Sequence, residues 1–178
     1  MLKNTIQPVL VIALGTVVFL LDYYEKISPF TNEIVLFLLS VGKSGYFIFV
    51  TFSRIKKTLE TEFFYHEFLS FIIFNILLII FSYAVDFYCL FRIDATAFQG
   101  IMEHQSILKE FVTFVYFSIT TFTSVGLGDI FPHSSSARIF VSTEALLAFF
   151  FNILIIANVM HLRESLGKKQ EKKNESPE

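Results

Sequence analysis

The sequence predicts an all-α integral membrane fold: four transmembrane helices, plus one short apolar segment that enters the membrane as a helix and returns as an extended strand. Three observations predict it. Hydrophobic residues make up 54% of the chain and mean hydropathy is +0.62, high for a protein with an ordinary polar surface. Four apolar stretches, at about residues 6 to 24, 33 to 52, 66 to 90 and 137 to 160, approach or exceed the roughly 20 residues that a helix needs to cross about 30 Å of hydrocarbon. A fifth, Phe111 to Phe122, is too short to cross and runs directly into Thr-Ser-Val-Gly-Leu-Gly-Asp.

Composition also excludes function classes. Charged residues are only 17% of the chain and the net charge is -2, so there is no basic field for nucleic acid. Cys89 is the only cysteine, so one chain forms no disulfide within itself and no cysteine-based zinc site. The side chain of Cys89 is read as a small buried apolar group.

The first span, Ile6 to Leu21, ends in Asp22, Tyr23, Tyr24 and Glu25 without a small-residue cleavage site, so it is read as a retained span rather than a signal peptide. The second is followed by Arg54, Lys56 and Lys57, the fourth by Arg163, Lys168, Lys169, Lys172 and Lys173. An excess of cations marks the cytoplasmic side, which places both ends of the chain on the cytoplasmic side of the cell membrane. The connections on the other side mix their cations with acids: Lys26 stands with Asp22, Glu25 and Glu33, and Arg92 and Lys109 with Asp94, Glu103 and Glu110. The organisation read from this is a hairpin and cytoplasmic loop over 1–62, a pore domain over 63–161 and a polar tail over 162–178, expected to be disordered because it has too little apolar surface to fold alone.

Irregular backbone at membrane depth is tolerated only where protein buries it or where it lines a hydrated path, since lipid offers no hydrogen-bond partners. Gly126 and Gly128 adopt positive φ at little steric cost, which lets successive carbonyls point to one side of an extended strand. Such a strand presents a column of oxygens. The run Tyr116 to Pro132, Tyr-Phe-Ser-Ile-Thr-Thr-Phe-Thr-Ser-Val-Gly-Leu-Gly-Asp-Ile-Phe-Pro, resembles the pore helix and signature filter of potassium channels, usually written Thr-Val-Gly-Tyr-Gly-Asp.

That resemblance implies a homotetrameric pore in which each chain supplies one filter strand, with three identical subunits and membrane lipids as partners. It implies K+ as the permeant ion, no other cofactor, and no enzymatic activity. The carbonyls of Ser124, Val125, Gly126 and Leu127 would replace the ion's hydration shell, with the Ser124 hydroxyl at the inner end and Gly128 outermost. Two positions depart from the family pattern, Ser124 for threonine and Leu127 for tyrosine. Neither removes a coordinating group, but Leu127 has no hydroxyl to brace the surrounding cuff. Tyr116, Thr123, Asp129 and Glu144 are expected to support the filter, Tyr116 by bonding Asp129 at the outer mouth. Phe111 to Phe122 would be the pore helix, its partially negative C-terminus favouring cations. Phe149, Asn152, Ile156 and Met160 are cavity candidates. Asn152 and Ile156 lie about 40° apart on a helix, whereas Glu144 lies about 80° from Asn152 and points toward the filter's supporting shell.

Three further features stay open at this level. Lys43, near the middle of the second span, is either a sensor charge, an ion-pair partner of Asp22, Glu25 or Asp86, or a lysine settled by packing. His66 and Glu67 form either a proton-sensitive site or an ordinary interfacial pair. Gly42-Lys43-Ser44 is not a phosphate loop, because Phe37 stands where the motif needs its first glycine, so no nucleotide site is expected. The competing readings are a weakly selective monovalent cation channel and a non-conducting membrane regulatory subunit.

Overall fold

The computed structural model describes residues 29–60, 65–101 and 106–174, with side chains over 34–53, 70–101 and 106–157. The first span expected at 6–24 lies outside the described residues, as do the side chains of His66, Glu67 and Met160. The described chain runs α1 (Pro29–Glu60), α2 (Tyr65–Ile93), β1 (Phe98–Gln99), α3 (Ile107–Phe122), β2 (Phe131–Pro132) and α4 (Ser135–Asn174). Within these, Ile34–Ser53, Ser70–Ile93 and Ser135–Ala157 are long and apolar enough to cross a membrane.

In α1 the buried stripe is Leu36, Ser40, Lys43, Phe47 and Thr51, repeating every three or four residues as one helix face must. Its polar members point inward, while Leu38, Phe49 and Phe52 are exposed on the other faces. That arrangement inverts the pattern of a water-soluble helix and suits lipid, where polar side chains hold helices together. The facing stripe of α2 carries Asn75, Ser82, Tyr83 and Asp86.

At 1.5 Å per residue, the 16 residues of α3 extend about 24 Å, short of the roughly 30 Å hydrocarbon core. Its apolar face packs on α2 through an aromatic cluster. Phe87 meets Phe117 at 5.3 Å and Phe98 at 5.6 Å between ring centroids, and Phe98 meets Phe114 at 5.3 Å. Edge-on contacts of this kind add to the large apolar area each ring buries.

Three details depart from the sequence reading. The short helix begins at Ile107 rather than Phe111, because the preceding turn at Ser106 accepts the N–H groups of Lys109 and Glu110 on its carbonyl and starts the helix early. A two-residue antiparallel ladder pairs Phe98 with Pro132 and Gln99 with Phe131; elements this short carry no period to detect. The last helix continues to Asn174, so the expected disordered tail over 162–178 is helical through most of its length. Prolonging a helix that is already nucleated adds one hydrogen bond per residue without a new nucleation cost, and the Lys, Glu and Gln of this run are good helix formers.

Candidate functional site

The site is the strand that leaves the C-terminus of α3. Helix ends leave carbonyls without intrahelical partners, and here the following residues take them. The N–H of Thr123 donates to the Ile119 carbonyl at 3.0 Å, Ser124 to Thr121 at 3.0 Å, and both Val125 and Gly126 to Thr120, at 2.9 and 3.2 Å. The backbone donors of Thr123 to Gly126 are thereby committed to the helix behind them. No described residue donates a hydrogen bond to the carbonyls of Ser124, Val125, Gly126 or Leu127.

Backbone conformation alternates along the same residues. Positive φ occurs at Ser124 (58°), Gly126 (53°) and Gly128 (77°), and at no intervening position. The two glycines adopt it freely. Ser124 does so at a cost of about 1–2 kcal/mol, which nothing in its residue type signals, since serine has no preference for this region. Alternation between left-handed and ordinary backbone turns successive peptide planes the same way, which is the condition for a column of carbonyls on one side. Residues Thr123 to Asp129 are all exposed in the single chain, Val125 by 59% and Leu127 by 63%.

Both ends of the strand are held. Thr123 Oγ1 donates to the Ile119 carbonyl at 2.7 Å. At the far end the Tyr116 hydroxyl donates to Asp129 Oδ2 at 2.7 Å, while Asp129 Oδ1 accepts the Ile130 N–H at 3.0 Å. The hydroxyl bond holds the Asp129 carboxyl below its usual range and, in return, raises the Tyr116 phenol. Behind Asp129 runs Gly100, at φ +89°; a Cβ there would stand 1.9 Å from the Asp129 carbonyl oxygen. Loop and strand are therefore in backbone contact, a relation that a lone glycine in a connecting segment does not announce.

Helix α4 starts on Ser134, whose side chain accepts the Ala137 N–H at 3.1 Å, as a serine at a helix N-cap does. It brings Glu144, fully buried, against α3: Ser118 Oγ donates to Glu144 Oε1 at 2.5 Å and also lies 2.9 Å from the Ile80 carbonyl. Glu144 thus faces the short helix rather than the exposed face of α4 that carries Phe149, Asn152 and Ile156. Sequence reasoning missed Ser118, although a small hydroxyl inside an apolar helix face is a signal of a polar contact.

The open choice at Lys43 resolves to Asp86. Lys43 Nζ lies 2.5 Å from Asp86 Oδ2, with the two side chains 5% and 9% exposed, and donates to the Ser82 carbonyl at 3.0 Å. Ser40 Oγ donates to the same carboxylate oxygen at 2.7 Å.

Compared with known protein families, residues 68–164 match the family described as ion channel, more than half of the chain, including α3 and the strand that follows it but not Ser40 or Lys43. No curated protein matches the chain.

Proposed function

The chain belongs to the ion-channel family, in the pore-loop group typified by potassium channels, and we propose that it conducts K+ passively across the cell membrane through a filter built by four copies. The observation that carries this reading is the alternation of positive φ at Ser124, Gly126 and Gly128, with the N–H groups of Thr123 to Gly126 bound to α3. It leaves the carbonyls of Ser124, Val125, Gly126 and Leu127 without a hydrogen-bond donor among the described residues, free to replace the water around a dehydrated cation. The Ser124 hydroxyl adds an oxygen at the inner end and Gly128 closes the outer end.

Exposed main-chain oxygens at membrane depth are intolerable against lipid, which supports closure of several strands around a shared axis. Tyr116 and Asp129 brace the outer mouth, Thr123 the inner turn, and Glu144 the back of the pore helix. Phe149, Asn152, Ile156 and Met160 line the cavity on the cytoplasmic side, with both chain ends cytoplasmic. The chemistry is transport, so no catalytic group is needed.

Purified protein in liposomes tests this directly. Under opposed K+ and Na+ gradients the reversal potential should sit near the K+ equilibrium value; near-equal permeability would instead favour the weakly selective cation channel that Leu127, without a bracing hydroxyl, leaves as the rival. Gly126→Ala forces a Cβ into left-handed backbone at about 1–2 kcal/mol per subunit, repeated in each copy of a symmetric pore. Flux should vanish. Flux that persists in this variant, or none from the unaltered protein, defeats the filter reading.

A further inference from the structure

The ion pair between α1 and α2 connects to the filter by hydrogen bonds between helices, joined within each helix by residues one or two apart in sequence. Lys43 Nζ stands 5.3 Å from the centre of the Tyr83 ring as well as on Asp86 and the Ser82 carbonyl. Ser44, one residue on, shares a hydrogen bond of 2.7 Å with the Tyr83 hydroxyl, which in turn reaches Thr143 Oγ1 of α4 at 3.5 Å. Beside Thr143 is Glu144, which holds Ser118 of the pore helix; Ser118 also reaches the Ile80 carbonyl of α2. Two residues beyond Ser118 is Thr120, the residue whose carbonyl carries the N–H groups of Val125 and Gly126. Four helices meet in this seam, and its last member holds the filter backbone.

Two magnitudes decide what Lys43 does there. The free energy one charge gains by moving through part of the membrane potential is smaller than the cost of leaving a buried charge without its partner. Voltage therefore does not open the pair, and Lys43 is no sensor. Nor does stability explain it, because well-packed apolar residues in place of a buried pair are often neutral or stabilising. What an ion pair with fixed hydrogen bonds supplies, and an apolar contact does not, is one register of α1 against α2.

We propose that Lys43 is a positioning residue for conduction: held on Asp86 and the Ser82 carbonyl, it fixes α1 to the scaffold behind the pore helix and so sets how long the filter remains conductive. The inference rests on the reading of residues 124 to 128 as an ion filter. It makes α1 part of the filter's support rather than a peripheral addition.

Single-channel recording of the full chain in planar bilayers tests it, using the double variant K43M/D86N, which removes both charges of the pair together. Expected are an intact assembly, unchanged unitary current and reversal potential, and open bursts shortened about tenfold, within the range that contact networks impose on remote sites. Wild-type burst lengths in K43M/D86N mean that the pair is merely structural and overturn the proposal, as does a shifted reversal potential, which signals general damage to the filter. Should the double variant fail to assemble, Ser44→Ala carries the test: it keeps the ion pair and cuts the link to Tyr83, and bursts should shorten about threefold, unchanged bursts again overturning the idea. No K+ current from the unaltered chain overturns the filter reading together with this one; normal current with normal bursts in the variants overturns this one alone.

Discussion

The Tyr116 hydroxyl bonds Asp129 most strongly while that carboxylate is ionised, and the bond depresses the carboxyl's pKa. A depressed pKa contributes stability that is fully present above the ordinary aspartate value of about 3.9 and is lost as pH falls through the lower, folded value. Acidifying the outer solution should therefore leave K+ current intact through the ordinary aspartate range and suppress it only below that. Tyr116→Phe removes the largest cause of the shift, so the midpoint of acid suppression should rise toward the ordinary value. A titration of current against external pH that gives the same midpoint in both proteins would show that this bond does not govern the mouth. The pair was legible beforehand because both residues lie within one motif, at a spacing the resemblance supplies. The partner of Lys43 was not, because Asp22, Glu25 and Asp86 are equally ionisable and only helix packing selects among them. Ser124 at φ 58° was illegible for a different reason: its conformation is imposed by the hydrogen bonds of its neighbours, against its own preference.

Elements differ in how much of themselves a sequence displays. The spans at Ile34–Ser53, Ser70–Ile93 and Ser135–Ala157 were readable because apolar length is a composition signal, summed over many residues and insensitive to any one. The pairing of β1 with β2 rests on two residues a side and on one close approach, that of Gly100 to Asp129, so nothing repeats and nothing sums. Yet this small ladder ties the loop before α3 to the chain leaving the strand Thr123 to Asp129. Gly100→Ala combines left-handed backbone, at about 1–2 kcal/mol, with an overpacked contact of about 1–3 kcal/mol, since the new Cβ would sit 1.9 Å from the Asp129 carbonyl oxygen. The thermal midpoint of the solubilised assembly should fall accordingly, and the outer mouth should be displaced with it. Tail helicity escaped prediction by an opposite route: composition describes a run over 162–178 standing alone, whereas the run continues a helix already nucleated in α4.

On the scale of the whole molecule, one chain presents a face that it cannot itself complete. Val125 and Leu127 are 59% and 63% exposed, and on α4 Leu146 and Phe149 are 69% and 65% exposed. Apolar side chains can face lipid, but the uncommitted carbonyls between them cannot, so the strand must lie against something polar or aqueous. Other copies of the chain around a water-filled axis satisfy both demands, because the strand then faces the path and the apolar residues face neighbours. Closed cyclic symmetry leaves the number of copies open, and the number can be counted without a structure of the assembly. Gly126→Ala distorts one strand of a shared ring, so a single altered subunit should silence the whole pore. Mixed in equal amounts with unaltered chain and assembled at random, it leaves conducting only those rings with no altered member: about one in sixteen for four copies, one in eight for three, one in four for two. Residual K+ flux near 6%, relative to the same total of unaltered protein, is the outcome expected of a tetramer. Residual flux near one half would mean that each chain conducts alone, and the shared axis would have to be abandoned together with the filter built on it.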